Sequence, residues 1–313
     1  MLEIFYFDKT VKKAKITELN KIKNKQLWID CTNITKEEAK LLKTIFDLHP
    51  LTKEDILNSN TRIKTEEFNN YLLCVFYGIQ KTKKIELTEI DFIIGKNFII
   101  SNHIKQLEAV EEIKKNNEKI ENLFKKGNDF ILHKLLDNEI DNYFPVLDKL
   151  DDQIEFIEDQ AIKRPKPKLL SKVLELKRLI VRIKRTTLPQ REKISFLTKG
   201  DCKFISKKSL PYFRDVYDHA IRVSDIIDNC RDSIGNAFDV YMSTISNSMN
   251  EVMKVLSVIA TIALPLTVIS GIYGTNFDVL PGQHFLFGFW IMIFAMILLS
   301  LGMIYFFKRR GWF

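Results

Sequence analysis

The sequence predicts an α/β domain, with α/β/α layers around a mixed sheet, followed by a long helix and two C-terminal transmembrane helices. Three observations support this prediction. Residues 1–130 alternate short apolar runs with amphipathic helical patterns. Residues 212–273 keep a helical period for on the order of 90 Å, which is too long for an ordinary globular helix. Residues 255–273 and 285–307 carry no charged side chain, and each stretch can span a hydrocarbon core of about 30 Å.

The first domain, residues 1–130, is assigned strands where β-branched and aromatic residues cluster. The five predicted strands cover residues 2–7, 26–31, 71–77, 89–94 and 97–101. Thr35 and Glu38 have the spacing of a capping box, which predicts a helix that continues to Phe46. Residues 105–126 have the period of an amphipathic helix, so strands and helices alternate as they do in layered α/β domains.

Residues 131–211 are predicted to form a cytoplasmic hairpin of helices with opposite charge. A helix over residues 132–161 is expected to end before Pro165, and a second over residues 169–185 is expected to stop near Pro189. Residues 136–159 hold nine acids and one lysine, whereas residues 163–200 hold thirteen Lys or Arg and two acids. Adjacent blocks of opposite charge suit paired antiparallel helices. No nucleic-acid-binding motif accompanies the basic block, so the net charge of +8 does not predict a nucleic-acid partner.

The remainder of the chain is predicted to enter and leave a membrane. Its expected parts are a long helix that includes the first span (residues 212–273), an external loop (274–284), a second span (285–307) and a basic tail (308–313). The loop holds one acid, Asp278, and no Lys or Arg, whereas Lys254 and the cluster Lys308, Arg309 and Arg310 flank the two spans. By the positive-inside rule both termini are expected in the cytoplasm, which predicts a multi-pass protein of the cell (inner) membrane.

A seam of polar, small or flexible residues follows the long helix at a period of 3.5 residues. Alternate steps of four and three along the helix give Asp239, Ser243, Ser246, Asn250, Met253, Ser257, Ala260, Leu264, Thr267, Gly271 and Gly274. A helix that faces lipid on all sides has no use for hydroxyl groups in one line. We therefore expect a left-handed bundle of several copies in which each chain turns this seam inward.

In such a bundle the members of the seam would have distinct roles. Asp239 would form a ring of carboxylates that attracts cations, and Asn250 would lie at the membrane entrance. Met253 and Leu264 would form apolar constrictions that gate a pore by dewetting. Close helix packing explains the small residues of the seam equally well, but it does not explain Asn250 or Asp239.

The end of the long helix carries the most specific motif of the chain. Residues 271–277 read Gly-Ile-Tyr-Gly-Thr-Asn-Phe, and residues 278–281 read Asp-Val-Leu-Pro. This closely resembles the signature of the CorA family of magnesium transporters, Tyr-Gly-Met-Asn-Phe followed by a Met-Pro-type turn. Residues 250–254 and 265–267 resemble the family's first transmembrane helix, and residues 48–55 resemble its N-terminal hallmark. The resemblance covers the whole chain in the right order.

The resemblance implies a funnel-shaped homo-oligomer, a pentamer in this family, that passively conducts hydrated divalent cations. Mg²⁺ would be the chief ion, Co²⁺ or Ni²⁺ further ions, and intracellular Mg²⁺ would gate the channel. Gly274, Thr275 and Asn276 would form the selectivity mouth, where amide oxygens hold the water shell of an ion that dehydrates reluctantly. Asp239 would form the inner acidic ring and Asp215 would bind regulatory Mg²⁺ at a subunit interface. The pore-lining positions carried over from the family are Asn250, Met253, Leu256, Leu264 and Thr267.

Within transport, the alternative is a zinc transporter like the related ZntB branch, because Thr275 stands where the CorA signature has Met. Selection of a soft metal would favour Cys or His ligands along the path. Only His284 is near the mouth, and the four cysteines, expected to be buried free thiols, lie outside both spans. They are Cys31, Cys74, Cys202 and Cys230.

Two further questions stay open at the level of the sequence. A membrane-anchored structural or signalling protein is the alternative from another class. The chain has none of the nucleotide-binding, zinc-protease or serine-hydrolase motifs, so neither an enzyme nor a cofactor is predicted. The basic block of residues 163–200 and the tail residues Lys308, Arg309 and Arg310 either ring the cytoplasmic exit of the pore or contact lipid headgroups.

Overall fold

The structure is a computed structural model that describes residues 2–58, 60–81, 85–163, 165–278, 280–282 and 285–312. His284, at the end of the predicted external loop, therefore lies outside the described residues. The chain divides into two compact units. The first comprises Met1–Gln160 with Lys166–Phe238, and the second comprises Ala161–Pro165 with Asp239–Phe313.

A mixed sheet of seven strands is the middle layer of the first unit, in the order β2-β1-β3-β7-β6-β5-β4. The β3–β7 pair is parallel and the other neighbouring pairs are antiparallel. The predicted mixed sheet is thereby confirmed. The strands are β1 Leu2–Asp8, β2 Thr10–Ala14, β3 Gln26–Thr32, β4 Lys64–Glu67, β5 Tyr71–Lys81, β6 Ile85–Gly95 and β7 Phe98–His103.

Helices cover both faces of this sheet, as the α/β/α prediction requires. Alternate residues of a strand point to opposite faces, so each central strand supplies apolar side chains to both layers. One face packs on α2 and α3, with Ile29 and Leu73 in a core that includes Leu42. The other face carries Trp28 and lies under α4, α5 and α6. The α-helices from the start of the chain to this point are α1 Leu19–Ile22, α2 Lys36–Phe46, α3 Pro50–Asp55, α4 Glu108–Lys114, α5 Asn117–Lys126 and α6 Asn128–Asp141.

A buried polar network lies between β3, β7 and α4. Asp30 is 1% exposed, and its carboxylate accepts hydrogen bonds from Ser101 at 2.6 Å and from Lys114 at 2.8 Å. His103 contacts the same carboxylate through Nε2 at 3.0 Å. Burial acts to raise the pKa of Asp30, but the hydrogen bonds and charges of His103 and Lys114 outweigh it and hold that pKa below its usual value.

The predicted capping box of α2 is confirmed. The Thr35 hydroxyl accepts a hydrogen bond from the backbone N–H of Glu38, and the Glu38 carboxylate accepts one from the backbone N–H of Thr35. Strands β2 and β4 were not predicted. Both are edge strands of Lys-, Thr- and Glu-rich sequence. Charged edges prevent pairing with other sheets, and the same charges hide the apolar alternation by which strands are recognised.

Three expected helix boundaries are wrong. The helix expected over residues 132–161 is two helices, α6 and α7 Phe144–Lys163, because the chain turns at Asn142 and Tyr143. The helix expected over residues 105–126 is likewise divided into α4 and α5. The next helix, α8 Pro167–Thr198, does not stop at Pro189. Proline removes one backbone hydrogen bond, but Thr187 and Gln190 are buried beside it, and this packing maintains the helix.

The long helix is confirmed as α9 Leu210–Tyr273, which has 64 residues and continues through Gly235 and Pro265. In the second unit it is followed by α10 Gly288–Arg309. Each of these two helices has an 18-residue segment with a mean hydropathy of 2.3. Only 6% of the segment in α9 and 0% of the segment in α10 are buried within the chain, whereas a core helix of a soluble protein would be mostly buried. Both helices are long and apolar enough to cross a membrane.

Candidate functional site

The whole seam of α9 lies on the surface of the single chain. Every member from Asp239 to Gly274 is exposed, and so is the neighbouring Leu256. The apolar members are exposed to a large extent, with Met253 at 58% and Leu264 at 69%. Val258, one residue from the seam, is 2% exposed, so the buried face of this span points elsewhere. The seam is thus free to face other chains or water.

The hydroxyl group of Thr267, in the seam, is oriented by the helix itself. Thr267 donates its hydroxyl hydrogen to the carbonyl oxygen of Ala263 at 2.9 Å, one turn earlier. Because that hydrogen is used, the oxygen presents only lone pairs to its surroundings. Such an oxygen can accept hydrogen bonds from the water shell of a cation. A valine at the same position has the same shape but no acceptor.

The signature residues form the C-terminal end of α9. The backbone N–H of Gly274 donates to Ser270 at 2.9 Å, and the Thr275 hydroxyl donates to the carbonyl oxygen of Ile272 at 2.7 Å. A Cβ atom at Gly274 would lie 3.0 Å from the Ser270 carbonyl oxygen, so glycine makes this end of the helix compact. Asn276 follows directly and is exposed.

A second contact holds the loop after the signature. The Tyr273 hydroxyl donates to the carbonyl oxygen of Pro281 at 3.1 Å. Asp278 lies between these two residues and is exposed. The acid that the sequence predicts to concentrate cations is therefore accessible to solvent.

The other end of the two spans is basic. Lys308, Arg309 and Arg310 are exposed in and after the last turn of α10. Positive charge at the C-terminal end of a helix is favourable because the carbonyl groups there carry negative partial charge. Lys254 of α9 donates to the carbonyl oxygen of Gly311 at 3.0 Å and lies 5.7 Å from the centre of the Trp312 ring.

Asp215, the predicted regulatory residue, is exposed on the part of α9 that belongs to the first unit. His219 lies one turn later on the same helix face. Its Nδ1 is 2.9 Å from the Asp141 carboxylate of α6. Ligand atoms of Asp137, Asp141 and His219 all lie within 4.8 Å of one another.

The same stripe of α6 includes His133, one turn before Asp137. Burial lowers the pKa of His133, against the opposing effects of the charges on Asp137 and Asp215. The family resemblance named Asp215, which is not part of this group and whose role stays a prediction, and sequence reasoning missed Asp137, Asp141 and His219. The spacing of four residues on each helix was visible, but which two helices face each other was not.

Residues 23–309 match the profile of the family described as CorA-like Mg²⁺ transporter protein. The cobalt/magnesium transport protein CorA of Thermotoga maritima is 36% identical over 292 residues, which are 91% of this chain and 83% of that protein. The complete structure of the CorA magnesium transporter from Methanocaldococcus jannaschii superimposes with a TM-score of 0.88 at 22% identity, over 100% of this chain and 99% of that one.

A more distant likeness concerns the zinc alternative. The cytoplasmic domain of ZntB from Vibrio parahaemolyticus superimposes with a TM-score of 0.65 at 13% identity, over 78% of this chain and 98% of that domain. At this identity the likeness shows a shared fold only.

Proposed function

The chain belongs to the CorA-like Mg²⁺ transporter family, and on this premise we propose that it is a passive channel for hydrated divalent cations, chiefly Mg²⁺. Co²⁺ and Ni²⁺ are the secondary ions. The seam of α9 supports this proposal most strongly, because it exposes hydroxyl, amide and carboxylate groups in one line along the helix that includes the first apolar span. Two spans cannot enclose a pore, so the chain acts as a homo-oligomer, a pentamer, with the seams around the axis.

The path through the oligomer begins at Asp239, whose carboxylates attract cations from the cytoplasmic side. Asn250 is the next polar ring, at the entrance to the membrane. The rings of Met253, Leu256 and Leu264 are the narrow apolar part, where loss of water closes the pore. Ser243, Ser246, Ser257 and Gly271 are the other lining positions.

Selectivity arises where oxygen groups meet the water shell of the ion. Mg²⁺ keeps its waters tightly and prefers hard oxygen ligands, so it is bound through its water shell. Thr267 offers an oxygen acceptor within the span. Gly274, Thr275 and Asn276 form the outer mouth, where the amide oxygen of Asn276 accepts hydrogen bonds from the hydrated ion. Asp278 raises the local concentration of cations outside the mouth.

Intracellular Mg²⁺ regulates the channel by binding at Asp215. The group of Asp137, Asp141 and His219, whose His219 lies one turn after Asp215, offers further ligand atoms. Binding to acids between chains stabilises one arrangement of the oligomer over another, and an ion that binds the closed state more tightly shifts the population towards it. The result is feedback inhibition when the internal Mg²⁺ concentration is high.

The protein lies in the cell (inner) membrane with both termini in the cytoplasm. Residues 274–284 form the external loop. The first span lies within residues 212–273, and the second span is residues 285–307. The preceding cytoplasmic parts are residues 1–130 and 131–211. Lys308, Arg309 and Arg310 form a basic ring at the cytoplasmic end. The chain acts as a transporter without a catalytic site or a cofactor.

Flux into proteoliposomes that contain a magnesium-sensitive dye tests this proposal. The wild type should take up Mg²⁺ down its gradient, and Asn276→Ala should abolish the uptake. Asn69→Ala, at an exposed position of the first unit, is the matched control and should leave uptake intact. Well-folded wild type that takes up no Mg²⁺ would refute the proposal.

The same assay separates the two alternatives. Zinc uptake under a proton gradient, without Mg²⁺ uptake, would favour a ZntB-like transporter and make Thr275 the next residue to replace. No flux of either ion would favour a membrane-anchored structural or signalling protein. Magnesium is favoured because the described mouth offers hydroxyl and amide oxygens, which are hard ligands.

A further inference from the structure

A small cavity lies in the first unit beside β6, β7 and the residues that follow α3. Its volume is about 70 Å³, and Glu89, Asp91 and Asn102 are among the residues that line it. Their exposed fractions are 8%, 1% and 6%. Acidic residues are rarely buried to this extent without a partner.

Strand geometry brings the three side chains together. Glu89 and Asp91 are two residues apart on β6 and so point to the same face of the sheet. Asn102 of β7 is directly opposite Asp91 in the antiparallel register. Side chains directly opposite each other in such a pair have neighbouring Cβ atoms. The sequence thus places two carboxyl groups and one amide around one point.

Each of the three groups uses only part of its hydrogen-bonding capacity. Glu89 Oε2 accepts from the backbone N–H of Thr61 at 2.7 Å and from the Tyr77 hydroxyl at 3.0 Å. Asp91 Oδ2 accepts from the Asn102 amide at 2.8 Å. That amide also donates to the carbonyl oxygen of Ile56 at 3.0 Å. These contacts fix the three side chains in place.

The remaining oxygen of each group has no partner. Glu89 Oε1, Asp91 Oδ1 and Asn102 Oδ1 are all buried and lack a hydrogen-bond partner among the residues that the structure describes. A buried acceptor without a partner has lost its hydrogen bonds to water without replacement, and this loss is larger for a charged oxygen. Three such acceptors around one cavity therefore indicate a shared electropositive ligand.

We propose that this cavity binds a hard divalent cation of the Mg²⁺ class through Glu89 Oε1, Asp91 Oδ1 and Asn102 Oδ1. Carboxylate and amide oxygens suit Mg²⁺, Ca²⁺ or Mn²⁺, whereas zinc and softer metals prefer nitrogen or sulfur. One water needs on the order of 10–15 Å³ of such space, so the cavity holds a cation with a few waters. The site is complete within one chain and goes beyond the proposed conduction, because it needs neither a pore nor an oligomer.

The charges around Asp91 favour a cation over an empty cavity. Burial raises the pKa of Asp91 well above its usual value, and the charges on Glu89 and Asp55 raise it further. The Asn102 hydrogen bond and the charge of Lys64 act in the opposite direction. Lys64 is itself held by Asp55 at 2.8 Å and by Glu66 at 3.3 Å.

The ring of His103, which also lines the cavity, is engaged by Asp30 and by the carbonyl oxygen of Lys105.

The cation would connect parts of the first unit that are distant in sequence. Glu89 holds Thr61, and Asn102 holds Ile56, so the ligands already contact the segment between α3 and β4. A cation that neutralises the two carboxylates removes their mutual repulsion and secures these contacts. The site is therefore expected to stabilise the first unit at the Mg²⁺ concentrations found in cells.

Counting bound Mn²⁺ on the purified full-length protein in detergent tests the proposal. The free-ion signal in electron paramagnetic resonance gives the number of bound ions at each total concentration. Asp91→Asn keeps the shape of the side chain but removes its charge, and it should bind one Mn²⁺ per chain fewer than the wild type at pH 7.5. Glu89→Gln is the second variant and should give the same loss, and millimolar Mg²⁺ should displace that ion.

Glu139→Gln is the matched control, since Glu139 is 4% exposed and its Oε1 also lacks a partner, but it lines another cavity. Its Mn²⁺ count should equal that of the wild type. Equal counts in the wild type and in both site variants at pH 7.5 would overturn the proposal. The count does not depend on Mg²⁺ flux, so the site and the conduction proposal can fail separately.

Discussion

Replacing Glu139 with glutamine should stabilise the protein, and the gain should grow with pH. Glu139 lies on α6 against β5, where a Cβ atom at Gly78 would be 2.2 Å from its Oε2. The side chain is 4% exposed, and Oε1 has no hydrogen-bond partner among the described residues. Burial raises the pKa of Glu139 to about 8 from 4.5. Glutamine keeps the shape and removes the titration.

The magnitude follows from the two pKa values. Because the folded-state pKa lies above the unfolded one, Glu139 carries no penalty below pH 4.5, and stability falls as the pH rises from 4.5 to 8. At about 1.4 kcal/mol per pH unit the penalty is about 1 kcal/mol at pH 5 and about 3 kcal/mol at pH 7. Tyr143, one turn later, stays neutral in this range because burial and the charge of Glu139 raise its pKa.

Thermal unfolding in detergent, followed by intrinsic fluorescence at pH 5, 6 and 7, measures the effect. With roughly 2–4 °C per kcal/mol, Glu139→Gln should raise Tm by about 6–12 °C at pH 7 and by about 2–4 °C at pH 5. Glu155→Gln, at an exposed position of α7, is the control and should change Tm by less than about 2 °C. A decrease in Tm at pH 7, or a shift that does not vary with pH, would refute this reasoning.

Three other substitutions test the buried network, the helix cap and the constriction. Lys114→Met removes the ammonium group beside the buried carboxylate of Asp30 and should destabilise the first unit by about 3–5 kcal/mol in denaturant titrations. Lys114→Arg keeps the positive charge and should retain most of the stability. Thr35→Ala removes the cap of α2 and should lower the free energy of unfolding by about 1 kcal/mol in the same titration. Thr35→Ser should be close to the wild type, and an equal loss in both variants would argue against the cap. Leu264→Asn should increase Mg²⁺ uptake into proteoliposomes, because a ring of polar side chains keeps water in the pore. Leu264→Met should not increase it. Unchanged uptake in Leu264→Asn would exclude a constriction at this position.

The sequence was sufficient for the parts of the fold that depend on apolar periodicity. The central strands are apolar on both faces, and the spans are apolar throughout, so both were predicted. The edge strands β2 and β4 were missed because their charged residues serve solubility and conceal the alternation. The break between α6 and α7 was missed although the sequence holds a signal for it, because Pro145 in the first turn of α7 is typical of a helix start. Pro189 misled for the opposite reason, because tertiary packing maintains the helix around it.

The candidate sites differ in the same way. The seam of α9 lies on one helix, so its spacing alone predicted it, and its role in conduction stays a prediction. The stripe of Asp137, Asp141 and His219 joins two helices that are far apart in the chain, which local pattern cannot show. The cavity at Asp91 depends on the register of β6 against β7, and Gly78 opposite Glu139 depends on which helix covers β5. Such pairings are set by tertiary packing rather than by propensity.

Accessibility of the seam to a water-soluble thiol reagent during Mg²⁺ uptake tests the central claim most directly. The four native cysteines are free and buried, so an introduced cysteine dominates the reaction. Ala260→Cys lies on the seam, and Thr261→Cys lies one residue off it while being equally exposed in the single chain. If the seam lines the path, the reagent should block uptake through Ala260→Cys and leave Thr261→Cys unaffected. Equal block in both variants, or block only through Thr261→Cys, would contradict a pore lined by this seam.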